Sequence, residues 1–392
     1  MRHVLYMAWR YVAFHRLKSL ILVGAIALIV FIPAALRVLV RQGETQLTAR
    51  AEATPLLLGS RDSPLELVLN SLYFSSDVPE TLAFGRVNDV AGTGLAEAIP
   101  LYVRFRSQDD PIVGTTLDYF AARGLRVAAG RQMTTLGDCV VGAAVAAARG
   151  LEPGDHLISS PESVFDLAGV YPLKTRVTGV LAPSGGPDDD AIFVDVKTTW
   201  IMEGLAHGHE DLSQPGAAGR VLRREGNTIV GNASVREYQE ITRDNIDSFH
   251  FHGNVAEFPI TAVIVLPADQ KSRALLLGRY QSHETLQLLP PPAVVDELLA
   301  TVFSVQSVIV AALFVVGATT AALVALVFLL SLRLRRGEIE TMMKIGGSRR
   351  RIASILGLEM VGVLGLGLLL SAGLTWGTSQ IGPTAIRYLL SQ

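Results

Sequence analysis

Three long apolar runs interrupt an otherwise mixed chain. Residues 19–36 and 298–332 carry no charge, and 352–386 carries a single one, Glu359. A spanning helix needs about 20 apolar residues to cross roughly 30 Å of hydrocarbon, so each run predicts a transmembrane helix. As one helix the second run would reach about 50 Å, and its first third is expected to stand outside the membrane as a stalk. Pro290, Pro291 and Pro292 precede it, where proline suits a helix start. Ahead of the first run, Tyr6, Trp9, Arg10 and Phe14 predict an amphipathic helix within 1–18. A retained anchor fits better than a cleaved signal, although Ala49-Arg50-Ala51 has the look of a cleavage site. The apolar stretch exceeds the roughly 7–15 residues usual in signal peptides.

Between the first two runs the pattern changes to short β-rich stretches, at 101–105, 139–142, 176–181, 191–196 and 259–266. Turn chemistry separates them, as at Glu152-Pro153-Gly154-Asp155 and Pro183-Ser184-Gly185-Gly186-Pro187. Helical windows lie at 117–123, 143–149 and 272–283. The fold class expected is an α-helical membrane protein carrying a large α+β extracytoplasmic domain, with three transmembrane helices. The expected division is a cytoplasmic helix over 1–18, helix one over 19–41, the α+β domain over 42–297 and stalk plus helix two over 298–332. A cytoplasmic segment at 333–351, helix three at 352–376 and a short tail at 377–392 complete it. The stretch 197–258, richer in polar residues and histidine, reads as an insertion in the domain.

Composition agrees with a chain partly dissolved in lipid: 49% of residues are apolar, only 18% are charged, and mean hydropathy is +0.38. The formal net charge of −2 hides a strong segregation. Residues 1–18 hold Arg2, Arg10, Arg16 and Lys18 with no acid; 41–300 nets −12; 333–351 holds seven basic and two acidic residues. Basic residues flank the apolar runs instead of forming one patch, which excludes a nucleic-acid-binding surface. Short Lys/Arg-rich segments stay in the cytoplasm. That places 1–18 and 333–351 inside, the large domain outside and the tail outside: a multi-pass protein of a bacterial inner membrane with its large domain in the periplasm. A single cysteine, Cys139, excludes a disulfide framework.

Catalytic signatures are missing from the sequence. No G-x-x-x-x-G-K-[ST], G-x-S-x-G, H-E-x-x-H or C-x-x-C string occurs, and Cys139 lies in an apolar strand as a small hydrophobe. The chain is therefore expected not to be an enzyme and to carry no cofactor of its own beyond a candidate zinc ion. That candidate rests on two H-x-H pairs, His207-Gly208-His209 and His250-Phe251-His252. Residues i and i+2 of a strand point the same way, and zinc accepts imidazole and carboxylate tetrahedrally, so Glu210 and Asp211 beside the first pair are further candidate donors. Asp188-Asp189-Asp190 reads as a solvated turn before the strand at 192–194 in preference to a calcium site. Glu359, alone in its apolar run, reads as a proton or substrate site or, preferably, as a structural bond to a neighbouring helix or to the amphipathic helix at 1–17. Gly357, Gly362, Gly365, Gly367 and Gly373 on helix three suit close contact with helix one or with a second copy of this chain.

The basic segment has an internal order that topology alone does not require. Glu338-Ile339-Glu340 opens a short amphipathic helix on which Met342, Met343 and Ile345 offer apolar knobs. Gly346-Gly347 breaks it, and Ser348 is placed to cap the next helix. Such a helix suits docking into a groove of a soluble partner, whereas a merely topogenic loop would only touch anionic lipid headgroups.

This order of elements, with its local motifs, resembles the permease subunits of the FtsX/MacB-like family of ABC systems. Leu17-Lys18-Ser19-Leu20 opens the first span as in that family. Asp118-Tyr119-Phe120, Gly130-Arg131, Val140-Val141-Gly142, Leu151-Glu152-Pro153-Gly154-Asp155 and Gly179-Val180-Leu181-Ala182-Pro183 resemble its periplasmic core, as does 189–194. Residues 333–340 and 343–351 resemble its cytoplasmic coupling segment, and Glu359 matches an acidic position in its next helix. The resemblance implies an ATP-binding ABC subunit as partner, docked by Glu338, Glu340, Met343, Lys344, Gly346, Gly347 and Arg350. It also implies a second permease copy, a periplasmic adaptor or substrate-binding protein, contact with membrane lipid, and no nucleic acid. The family has four spans, and no apolar run follows the third here. Two functions are therefore expected to compete: a permease that couples ATP hydrolysis in another subunit to its outer domain, for export or extraction of an envelope substrate, and a membrane-anchored metal-binding or sensory module without ATP-driven transport.

Overall fold

The computed structural model describes residues 2–75, 77–160, 172–209, 221–225, 228–231 and 238–391. The chain divides into a helical unit, residues 1–45 with 298–386, and an outer unit, residues 46–297 with 387–392.

The helical unit opens with α1 (Arg2–Phe14), followed by α2 (Arg16–Glu52). Tyr6, Trp9 and Phe14 of α1 are exposed, the apolar half of the amphipathic pattern. α2 is long enough to cross a membrane. It continues past residue 41 through Gly43 to Glu52, and the Ala49-Arg50-Ala51 string lies inside it with Ala51 fully buried.

The outer unit is a mixed α/β domain. It runs β1 (Leu56–Ser60), α3 (Pro64–Tyr73), β2 (Leu82–Ala83), α4 (Gly85–Ala91), β3 (Ala96–Ser107), β4 (Asp110–Thr115), α5 (Leu117–Arg123), β5 (Val127–Gly130), β6 (Asp138–Val141), α6 (Ala143–Arg149), β7 (His156–Ile158) and β8 (Lys174–Leu181). It continues with β9 (Ile192–Asp195), α7 (Val196–Met202), β10 (Ala206–Gly208), β11 (Val221–Glu225), β12 (Thr228–Gly231), β13 (Phe249–Phe251), β14 (Pro259–Ile260), β15 (Ala262–Pro267), α8 (Gln270–Gln281) and β16 (Leu286–Leu289). Ten strands form one sheet in the order β16-β1-β15-β3-β4-β9-β6-β8-β5, with β7 also on β8. Among the described strands, β4–β9 and β6–β8 pair in parallel and the other ladders are antiparallel.

Local chemistry sets these elements. Ser63 caps α3 by accepting the Glu66 N–H, with Pro64 in the first turn. Gly124 and Gly150 end α5 and α6 at φ +65° and +64°, where glycine carries no steric penalty. Leu56, Leu57 and Leu58 of β1 are all buried, because helices or neighbouring chain cover both faces. A strand buried on both faces has no period-two alternation, which is why the triple leucine gives no strand signal. The expected insertion at 197–258 starts too early: α7 is core, with Trp200 fully buried against Phe84 and Phe258 at ring distances of 5.1 and 5.2 Å.

The helical unit resumes as α9 (Pro291–Leu334), α10 (Arg336–Lys344) and α11 (Arg349–Ser391). The membrane-length part of α9 is Ile309–Leu334, and that of α11 is Arg349–Gly382. The tail expected from 377 is thus a continuation of α11. Leu22 and Ile26 of α2, Phe328 of α9 and Val363 of α11 form a small apolar core. Elsewhere the helices expose Phe314, Leu323, Leu330 and Leu369, the surface expected where lipid is the solvent.

Candidate functional site

Three clusters hold the chemistry of the described residues. The first is the segment around α10. None of the helix's residues is buried, and Ile345 just beyond it is 80% exposed. The chain then reverses sharply: Gly346 takes φ +94°, and the Gly347 N–H donates to Met342 O at 2.9 Å. A Cβ on Gly347 would stand 2.6 Å from that same carbonyl oxygen, so the paired glycines are sterically required. Ser348 Oγ accepts the Arg351 N–H at 3.4 Å, opening α11. Glu338, Glu340, Met343 and Lys344 lie on α10, Gly346 and Gly347 in the turn, and Arg350 in the first turn of α11.

Arg335, at the junction of α9 and α10, ties this segment to the membrane helices. Its Nε donates to Glu338 Oε2 at 3.2 Å and its Nη1 to Glu359 Oε2 at 3.0 Å. Phe328, Leu332, Leu356 and Met360 surround the pair. Glu359 therefore bonds to Arg335 at the start of the 333–351 segment, and among the described residues it has no bond to the amphipathic helix. Sequence reasoning treated Arg335 as one basic residue among seven. A buried acid needs a cation, but the 24 residues separating the two conceal which one.

The second cluster is a two-stranded ribbon, β10 with β13. Its antiparallel register places His207 opposite His250. Ala206, Phe249 and Phe251 turn inward to the core, Phe251 against Trp200 at 6.3 Å. The alternation of a strand then turns the imidazoles to the other face. His252, just after β13, donates its N–H to Leu205 O at 3.0 Å. His207 lies 5.0 Å from His250, 4.6 Å from His252 and 5.9 Å from His209 between ring centres. His250 lies 5.2 Å from His209 and 4.8 Å from His252. Glu210 and Asp211 lie outside the described residues.

The third cluster overturns the expectation of a solvated acidic turn. Asp188 and Asp189 sit in a single 3-10 turn, 187–190, and both are buried. Arg50 donates through both terminal nitrogens to the Asp188 carboxylate, and through Nε to Leu72 O at 3.1 Å. Tyr119 donates its hydroxyl to Asp188 Oδ1 at 2.6 Å and accepts from Arg50 Nη2 at 2.8 Å. Burial alone would raise the Asp188 carboxyl, but the charge and bonds of Arg50 hold it below the usual carboxylate range. Asp189 accepts the N–H groups of Ser184 and Gly185 at 2.7 and 2.8 Å, closing the 183–187 turn. The acidic run looked exposed because its cation lies 138 residues away. Cys139, fully buried, has its thiol pushed up to about 12 by burial, which leaves it protonated and inert.

The model of the MacB-like periplasmic core domain matches residues 20–234, more than half of the chain. The chain belongs to this family. It is thereby an ABC transporter permease of the MacB/FtsX-like kind. Among solved structures, the periplasmic region of MacB from Actinobacillus actinomycetemcomitans is 11% identical over 64% of this chain and 97% of that one, with a TM-score of 0.34. The extracellular domain of the noncanonic ABC-type transporter YknZ from Gram-positive bacteria is 13% identical over 60% of this chain and 98% of that one, with a TM-score of 0.32. No curated protein matches the chain. The MacB-like match takes in Arg50, Tyr119, Asp188, His207 and His209, and ends before β13, α9, α10 and α11.

Proposed function

We propose that this MacB-like permease is a mechanotransmission subunit: a separate ABC ATPase closes on ATP, moves α10, and the motion passes along α9 to the outer domain to export or extract an envelope substrate. The observation that carries this reading is α10 itself. It is a short helix with every residue reachable, stopped by a sterically required glycine turn and braced at its start by Arg335. A flexible basic loop would satisfy topology without any of these features. Transmission of this kind is a two-state element biased at one end and read at the other.

The protein sits in a bacterial inner membrane with α1 and α10 on the cytoplasmic side, following the basic residues that flank the spans. ATP is bound by the partner, since the sequence contains no phosphate-cradling G-x-x-x-x-G-K-[ST] loop. The complex holds a second permease copy. In a single chain a Cβ on Gly367 of α11 would meet Ile26 at 2.7 Å, whereas Gly357, Gly362, Gly365 and Gly373 have open space beside them for another helix. A periplasmic adaptor or substrate-binding protein would engage the outer domain.

The histidine ribbon favours one alternative, a membrane-anchored metal-binding or sensory module that works without ATP. Purifying the full chain from its own membranes separates the two. The permease reading expects an ABC ATPase in stoichiometric amount, lost on Met343→Glu with the chain still inserted. A preparation free of any ATPase, or one whose ATPase content ignores Met343→Glu, contradicts it.

A further inference from the structure

The histidine ribbon is absorbed by none of the coupling chemistry, and its geometry is specific. Four of the chain's eight histidines lie on β10, β13 and the residues that follow each. A tetrahedral zinc ion held at about 2.1 Å by four imidazole nitrogens places the ring centres about 5 Å apart. Five of the six ring pairs among His207, His209, His250 and His252 fall between 4.6 and 5.9 Å. Ligand nitrogens of His207, His209 and His250 already lie within 4.8 Å of one another. Closing that distance to the roughly 3.4 Å of a tetrahedral edge calls for rotation of the imidazoles, with His207 and His250 held opposite each other by the strand register.

We infer that His207, His209, His250 and His252 form a binding site for one zinc-class divalent cation on the outer domain, with His207, His209 and His250 as its core and His252 completing the tetrahedron. The donor set decides the class. Neutral imidazole suits zinc, copper and nickel, whereas calcium and magnesium demand oxygen. His250 is exposed, so the ion enters from solvent without opening the core. Behind the site, Phe249 and Phe251 anchor the ribbon on the hydrophobic core, which holds the ligand strands still. The bound ion would clip β10 to β13 and so fix the entry and exit of the intervening chain, 209–248. It gives the outer domain a metal-responsive element. The inference needs no ATPase, so it and the coupling reading stand or fall separately.

The test uses the full chain in detergent, carrying no polyhistidine tag, with zinc chloride as the probe. Calorimetry should give one ion per chain with a Kd below about 1 μM. X-ray absorption should show a first shell of nitrogen without sulfur, and cobalt(II) should give the intense visible bands of a tetrahedral site. His207→Ala with His250→Ala should abolish binding, and His252→Ala alone should weaken it at least about tenfold. His156→Gln, outside the ribbon, should change nothing. The single His252→Ala variant, on an exposed position after the strand, keeps the test decisive if the double variant fails to fold. A wild-type Kd weaker than about 10 μM, equal binding by wild type and His252→Ala, or loss of binding in His156→Gln overturns the inference.

Discussion

The outer domain and the helical unit each take an arginine and a carboxylate out of water together, and they do it differently. In the outer domain Arg50 spends both terminal nitrogens on Asp188, with Tyr119 and the Leu72 carbonyl completing the shell; the side chains are 10% and 3% exposed. In the helical unit Arg335 divides its guanidinium between two acids, Glu359 at 9% exposure and Glu338 at 62%. The first arrangement is closed: no donor can move without leaving a buried charge unpaired. The second is shared between a membrane helix and an exposed one, so the Glu338 half can be surrendered to water or a partner at little cost. One pair is buried on both sides, and the other has one exposed partner.

The sharpest break of this comparison is Arg50→Ala. Removing one member of a buried pair costs about 3–5 kcal/mol, and unfolding followed by Trp200 fluorescence, with Trp9 and Trp376 replaced by Phe, should show a loss of that order. A loss below about 1 kcal/mol would mean that Asp188 is already hydrated. The same pair sets an acid response. Asp188 has its folded pKa held below its unfolded value, so its stabilisation is complete above about pH 4 and disappears as pH falls through the depressed value. In Arg50→Ala the largest opposing charge is gone, and burial, now countered only by Tyr119 and Arg123, moves that pKa upward. Mild acid should therefore relieve the variant while wild type is unaffected, so the stability gap between them narrows as pH falls towards about 4.

Effects in the helical unit should be smaller. Glu359→Gln keeps the shape and loses the charge, and an expected cost of about 1–2 kcal/mol can be read from SDS titration of the full chain. Glu338→Gln, at an exposed pair, should cost under about 1 kcal/mol and lose even that in high salt. Equal costs for the two glutamates would erase the distinction between a fixed and an exchangeable half.

Much of this architecture was legible along the chain. Apolar length gave the three spans, and α5 and α6 end at the glycines that follow their helical windows. The histidine pairs declared themselves by spacing, because two short strands need only i and i+2 to share a face. What stayed hidden depends on distance in sequence. β1 has no alternation because both its faces are covered, and Trp200 lies in a polar neighbourhood that disguised a core helix as an insertion. Asp188 looked solvated, and the partner of Glu359 could not be named, because their cations stand 138 and 24 residues away. Local pattern reports which groups want a partner, and only the fold chooses it.

Gly346 and Gly347 offer the most direct test of coupling through α10. At Gly346 φ is +94°, a value closed to proline, whose ring holds φ near −65°. Gly346→Pro with Gly347→Pro should therefore unmake the turn while leaving the spans and the outer domain intact. ATP turnover of the reconstituted complex, compared between wild type and this variant at equal insertion, decides the matter. The account predicts that the permease-dependent part of turnover is abolished; unchanged turnover with normal assembly would reduce 333–351 to a basic loop that only sets topology.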